Sequence, residues 1–300
     1  MMSLPLVQHR YLDVDGVTVF YRESVPTRAD APTLLLLHGF PSASHQFRRL
    51  IDLLGDRYRM IAPDYPGFGN TSAPADFTYT FDRLADITEG FVQRLGLRHF
   101  AMYVFDFGAP IGFRLAERHP EWIAGLVVQN ANAYEAGLSE GAREFTALRP
   151  DQDGAEDTIR ELLTLAGTRG QYQTGVSDPT VLSPESWLLD QYFLDLPGRT
   201  AAQVAFAFDY KSNIARYPAW QSWLRTHTPP TLITWGANDP FFPAPGAHAY
   251  LADVPDAELH LFDTGHFALE THVREIAPLI GAFLDRVCTG QTVGGDAPSQ

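Results

Sequence analysis

Only one cysteine, Cys288, stands in the 300 residues, so the chain can form neither an internal disulfide nor a cysteine metal cluster. Basic residues are also scarce. The sequence has 22 Lys and Arg against 36 Asp and Glu, a formal net charge of −14. A surface of that sign repels phosphates and anionic headgroups, which excludes nucleic-acid binding and electrostatic docking on a membrane. No apolar run approaches the length that crosses a bilayer. The opening residues, MMSLPLVQHR, lack the basic start and apolar core of a secretion signal, and the cytoplasm is the expected compartment. Internal repeats and metal-ligand clusters are absent from the sequence, and no cofactor or metal is expected.

What is present is apolar material in quantity. Hydrophobic residues make up 45% of the chain and charged residues 19%, enough to fill the core of one large domain with a subdomain inserted in it. RYLDVDG and VTVFYRE read as a hairpin turning at Asp15-Gly16. TLLLLHG is a continuous apolar run of the kind a parallel sheet buries on both faces. A helix from about Ser44 to Leu54 follows, and then the strand YRMIAPD. Phe81, Leu84, Ile87, Phe91 and Leu95 recur at helical spacing, with Gly96 at the helix end. The strand from Phe100 to Phe105, a helix from about Phe107 and the strand GLVVQN complete this half.

From about Ala133 to Arg225 the pattern changes to helices and aromatics with no buried strand, and TLITWG then resumes the strands. AELHLFD and a helix carrying Ile276, Leu279, Ile280, Phe283 and Leu284 close the fold. Cys288 is expected to be half-buried at the end of that helix. The residues after it, TGQTVGGDAPSQ, have almost nothing to bury and are expected to be disordered. The expected fold class is α/β, a mostly parallel sheet with a helical block inserted after its sixth strand.

In such a sheet, ligands bind beyond the carboxyl ends of the strands, so the residues standing there are the candidates for chemistry. Phe40 and Pro41 follow TLLLLHG, and Asp106 follows the central strand. Asp239 follows TLITWG, and His266 follows AELHLFD. Two carboxylates and a histidine therefore share one edge. Each also has a plainer reading: Asp106 as a helix cap, Asp239 as a turn residue before proline, His266 as a surface histidine. Asp263 is a rival acid, placed within or at the end of its strand.

The order nucleophile, acid, base on strand-to-turn positions resembles the α/β-hydrolase fold, with HGFP (38–41), PDYPGFG (63–69), the elbow at Asp106, GANDP and GH in sequence. The resemblance spans about Val14 to Val287. It implies eight strands, with core segments 1–132 and 226–288, a helical cap 133–225 and a tail 289–300. The elbow reads Val104-Phe105-Asp106-Phe107-Gly108 where the family's common form is Gly-x-Ser-x-Gly. It is similar to the branch that includes epoxide hydrolases and haloalkane dehalogenases. A carboxylate needs no base to become a nucleophile and suits displacement at saturated carbon, giving an alkyl ester. Water activated by His266, with Asp239 holding the imidazole, then hydrolyses that ester, and the N–H groups of Phe40 and Phe107 form the oxyanion hole.

Residues around the elbow bear on the leaving group. The resembled dehalogenases hold halide with a tryptophan after the nucleophile and an asparagine or second tryptophan; here those positions are Phe107 and Phe40. Fluoroacetate-type enzymes carry arginines where Phe107 and Ile111 stand. Epoxide hydrolases have the HGFP loop and two cap tyrosines that protonate the opening oxirane. Tyr210 is the best match for one, and Tyr172 or Tyr192 for the other. The expected activity is opening of epoxides to diols on a small apolar organic substrate. Halide displacement by the same nucleophile is the alternative, and an inactive small-molecule sensor is the reading from another class. The expected assembly is a monomer or homodimer.

Overall fold

The computed structural model describes residues 4–289. Eight strands form one sheet: β1 (Leu6–Val14), β2 (Val17–Val25), β3 (Thr33–Leu37), β4 (Arg59–Pro63), β5 (Phe100–Phe105), β6 (Ile123–Gln129), β7 (Thr231–Gly236) and β8 (Glu258–Phe262). Their spatial order is β1-β2-β4-β3-β5-β6-β7-β8. β2 pairs antiparallel with β1 and β4, and the remaining neighbours are parallel. The first hairpin turns at Asp15 and Gly16, both at positive φ, as its Asp-Gly pair predicts.

Helices α1 (Arg48–Leu54), α2 (Phe81–Arg94) and α3 (Gly108–Arg118) lie between the early strands. Seven more separate β6 from β7: α4 (Glu140–Thr146), α5 (Ala155–Leu162), α6 (Leu165–Gln173), α7 (Pro184–Leu194), α8 (Arg199–Asp209), α9 (Lys211–Ile214) and α10 (Tyr217–His227). α11 (Pro245–Ala249) and α12 (Ala268–Thr289) complete the chain. The expected tail beyond Thr289 and the side chain of Cys288 lie outside the described residues. Among the described residues, no helix is long and apolar enough to cross a membrane.

Two-sided burial explains the unbroken apolar strands. Successive side chains of a strand point to opposite faces, so a strand covered on both sides must be apolar at every position. On β3, Leu35 and Leu37 join a cluster with Phe81 and Leu84 of α2 and Ile111 of α3. Leu34 and Leu36 join the opposite cluster, with Leu50 of α1 and Ile276 of α12. β5 divides the same way, Met102 and Val104 to one side and Ala101 and Tyr103 to the other. Each such fully buried side chain contributes about 2 kcal/mol. α2 starts where Thr80 accepts a hydrogen bond from the Arg83 N–H at 3.2 Å. The inserted helices rest on this framework through α10, whose Trp220 stacks on Phe113 of α3 at 5.3 Å between ring centroids.

Candidate active site

β5 ends at Phe105 and α3 begins at Gly108, so the chain must reverse within two residues. Asp106 makes the turn at φ 47°, in the left-handed region that L-residues other than Asn and Asp seldom enter. Two glycines permit it. A Cβ on Gly39 would lie 2.4 Å from Asp106 Cβ, and one on Gly108 would lie 2.2 Å from the Leu37 carbonyl oxygen. The β3 loop and the first turn of α3 can therefore close around Asp106 only without side chains at these two positions.

That closure puts Asp106 among backbone donors. The Phe40 N–H donates to Asp106 Oδ1 at 2.6 Å, and the Phe107 N–H also hydrogen-bonds this carboxylate. Asp106 Oδ2 stands 4.0 Å from His266 Nε2. Burial pushes the Asp106 carboxyl up to about 6, against the pull of His266 and the two backbone donors. Asp239 adds to the rise.

His266 follows β8 and lies buried among the rings of Phe105, Phe241, Phe242 and Phe267. Its Nδ1 meets Asp239 Oδ2 at 2.6 Å. Burial alone would lower the imidazole, but the Asp239 carboxylate, helped by Asp106, holds it above its ordinary value. Asp239 is in turn saturated with donors. Its Oδ1 accepts from the N–H groups of Phe241 and Phe242 at 2.8 and 3.1 Å, and its Oδ2 from Asn130 Nδ2 at 2.7 Å.

Sequence reasoning missed Asn130. It stands at the carboxyl end of β6, at φ 40°, and is fully buried. Its amide clamps β6 to β7, accepting from the Gly236 N–H at 2.8 Å and donating to the Gly236 carbonyl at 3.2 Å while also holding Asp239. The rule that found the other site residues, to ask what stands at each strand end, points to Asn130 as well. The rival acid Asp263 instead accepts from Asn238 Nδ2 outside the site. His38 is buried beneath the β3 loop, its ring stacked on Tyr65 and its Nε2 accepting from the Tyr65 N–H.

A cavity of about 520 Å³ opens over Asp106 and His266, lined by the rings of Phe40, Phe107 and Phe241 and by apolar side chains of α4, α5 and α8. Of the three candidate tyrosines, Tyr210 alone lines it. Tyr210 follows α8, packs its ring against Phe107 at 5.9 Å, and hydrogen-bonds Tyr217, whose hydroxyl accepts from Asn132 Nδ2. Tyr172 does not reach the cavity. It is buried on the sheet side of α6, stacked on Phe267 at 3.9 Å with its hydroxyl on Asp190. Tyr192 is 60% exposed on the outer face of α7. The placement of a second proton donor at Tyr172 or Tyr192 is corrected accordingly.

A carboxylate at a tight strand-to-helix turn, two N–H donors on it and a histidine–carboxylate pair facing it make this strand edge the candidate active site. A family model described as alpha/beta hydrolase fold matches residues 32–273, and the chain belongs to that family. Its relatives give further resolution. It is 43% identical to an uncharacterized hydrolase, YNR064C, of Saccharomyces cerevisiae over 274 residues, covering 90% of this chain and 94% of the relative. It is 29% identical to haloalkane dehalogenase 2 of Mycobacterium tuberculosis over 266 residues, 83% of this chain and 86% of that one. The haloalkane dehalogenase DatA of Agrobacterium tumefaciens shares the fold, with a TM-score of 0.77 at 23% identity over 94% of this chain and 97% of that one. The protein is a hydrolase of the α/β-hydrolase family with haloalkane dehalogenases among its relatives.

Proposed function

We propose that the protein opens epoxides to diols through an ester on Asp106. The observation that carries this reading is the division of labour between the two carboxylate oxygens. Oδ1 rests on the Phe40 N–H at 2.6 Å, which leaves Oδ2, facing His266, as the attacking atom. In the first step the Oδ2–carbon bond forms as the oxirane carbon–oxygen bond breaks. The departing oxygen takes the Tyr210 proton and becomes a hydroxyl. Burial raises the Tyr210 phenol well above its ordinary value, so it enters this step protonated. In the second step water in the gap between His266 Nε2 and the ester attacks the Asp106 carbonyl carbon and gives a proton to His266. Oδ1 then carries negative charge and already accepts from the Phe40 N–H, with the Phe107 N–H as the second donor on this carboxylate. Collapse transfers the His266 proton to the leaving alkoxide, and the remaining proton of that water restores the Tyr210 phenol. Asp239 and Asn130 act as positioning residues for the imidazole.

The dehalogenase reading draws on the relatives of that name. Against it, neither tryptophan nor asparagine lines the cavity among the described residues, and the rings beside Asp106 are phenylalanines without N–H donors. The Tyr210 phenol can hydrogen-bond either leaving group, but an oxirane oxygen also needs the proton it can give, whereas a halide does not. Product analysis on styrene oxide and 1-bromobutane separates the readings. Diol from the first with no bromide from the second supports epoxide opening. Bromide release without diol overturns it in favour of halide displacement, and saturable binding with no turnover of either favours a sensor.

A further inference from the structure

The loops that carry Asp239 and His266 go on pairing past the ends of their strands. Ala237 and Asn238 donate their N–H groups to the Phe262 and Thr264 carbonyls at 2.9 and 3.0 Å. Asp239 follows Asn238 directly, and His266 stands two residues after Thr264, so their 2.6 Å contact inherits the spacing of the two loops. A third segment meets both loops: the turn Thr174-Gly175 that ends α6. Gly175 takes φ 82°, and a Cβ there would lie 2.2 Å from the Asn238 carbonyl oxygen. A Cβ on Gly265 would lie 2.1 Å from the Thr174 carbonyl oxygen. Backbone packs on backbone at both contacts, with no room for a side chain between.

The Asn238 side chain joins the three segments. Its Nδ2 donates to the Gly175 carbonyl at 3.0 Å and to Asp263 Oδ1 at 2.8 Å, which uses both protons of the amide. Neither Asn238 nor Asp263 lines the cavity. We propose that Asn238 is a positioning residue for the Asp239–His266 pair, holding it in register through Asp263 and the turn after α6. The inserted helices then do more than roof the cavity, because their seat on the core also sets the contact between imidazole and carboxylate. The effect acts through distance. Asp239 and Asp106 face His266 and hold it above its ordinary value against burial, so a longer reach to Asp239 lowers it. This inference rests on the reading of His266 as the base that hydrolyses the Asp106 ester.

The test titrates His266 by NMR of protein labelled with nitrogen-15 histidine, the resonance assigned by its loss in His266→Gln. It needs no substrate, so it fails separately from the epoxide reading. Asn238→Ala is expected to lower the His266 midpoint by about one pH unit. Asp263→Ala, the second variant should the first not fold, is expected to move it the same way. Asp263→Asn removes the charge but keeps an acceptor for Asn238 and is expected to leave the midpoint in place. Gly175→Ala is expected to repeat the fall, and Gly154→Ala, at φ 75° with open space around it, to leave the midpoint alone. In single turnovers of styrene oxide, Asn238→Ala should form the Asp106 ester at the wild-type rate and hydrolyse it about tenfold more slowly. A wild-type midpoint or wild-type ester hydrolysis in folded Asn238→Ala, or an equal fall in Asp263→Asn or Gly154→Ala, would overturn the inference. A lowered midpoint in proteins that form neither ester nor diol, wild type included, sustains the positioning of the pair and overturns epoxide opening instead.

Discussion

Replacing Asp106 should make this protein more stable, by an amount the site itself indicates. Asp106 is 7% exposed, and its carboxyl is pushed from 3.8 to about 6, largely by burial. A folded-state value above the unfolded one means that the unfolded chain ionises first as pH rises. Stability is then lost between the two values and stays lost above about 6. A rise of roughly two units, at about 1.4 kcal/mol each, makes the ionised carboxylate a burden of about 3 kcal/mol near neutral pH. Asp106→Asn removes the charge, keeps an oxygen for the Phe40 N–H, and retains a residue type that tolerates positive φ. Urea unfolding of the two proteins should show the variant more stable by about 3 kcal/mol at about pH 8, with the gap nearly closed at about pH 4. A variant less stable than wild type at the higher pH, or a gap indifferent to pH, would refute the claim that burial sets the state of this carboxyl.

Other substitutions probe the remaining parts. Asn130→Ala deletes three buried hydrogen bonds and leaves the Gly236 N–H unpartnered, so it should cost about 2–4 kcal/mol in unfolding experiments and slow ester hydrolysis more than ester formation in rapid-quench assays. Tyr210→Phe should lower kcat for epoxide opening about a hundredfold with little change in KM, because the proposed reaction calls on the phenol in the transition state. His266→Gln should leave the first step running and block the second. Intact-protein mass spectrometry would then show the mass of one epoxide added to the chain.

The sheet was legible because two-sided burial leaves a plain mark: β5 and, after Thr33, β3 are unbroken runs of apolar and aromatic residues, with no polar face to confuse with a helix. Asp106, Asp239 and His266 were legible because each stands just past a strand, at the edge where an α/β sheet gathers its chemistry. Asn130 occupies the same kind of position and was passed over. An uncharged residue at a strand end looks like a turn former, and its role appears only when its amide spans β6, β7 and Asp239. The cap tyrosines show a different limit. Gln171 and Tyr172 are neighbours on α6, yet one lines the cavity and the other stacks on Phe267. One residue along a helix turns a side chain about 100°. Both environments of that helix are apolar, so its pattern does not say which face looks into the cavity.

Ester formation on Asp106 is the claim from which the rest follows, and one turnover in oxygen-18 water, with enzyme in excess over epoxide, tests it most directly. The water oxygen enters at the Asp106 carbonyl carbon, so the heavy isotope should appear in the peptide containing Asp106 and the diol should leave unlabelled. Label found directly in the diol, with none in that peptide, would contradict the account.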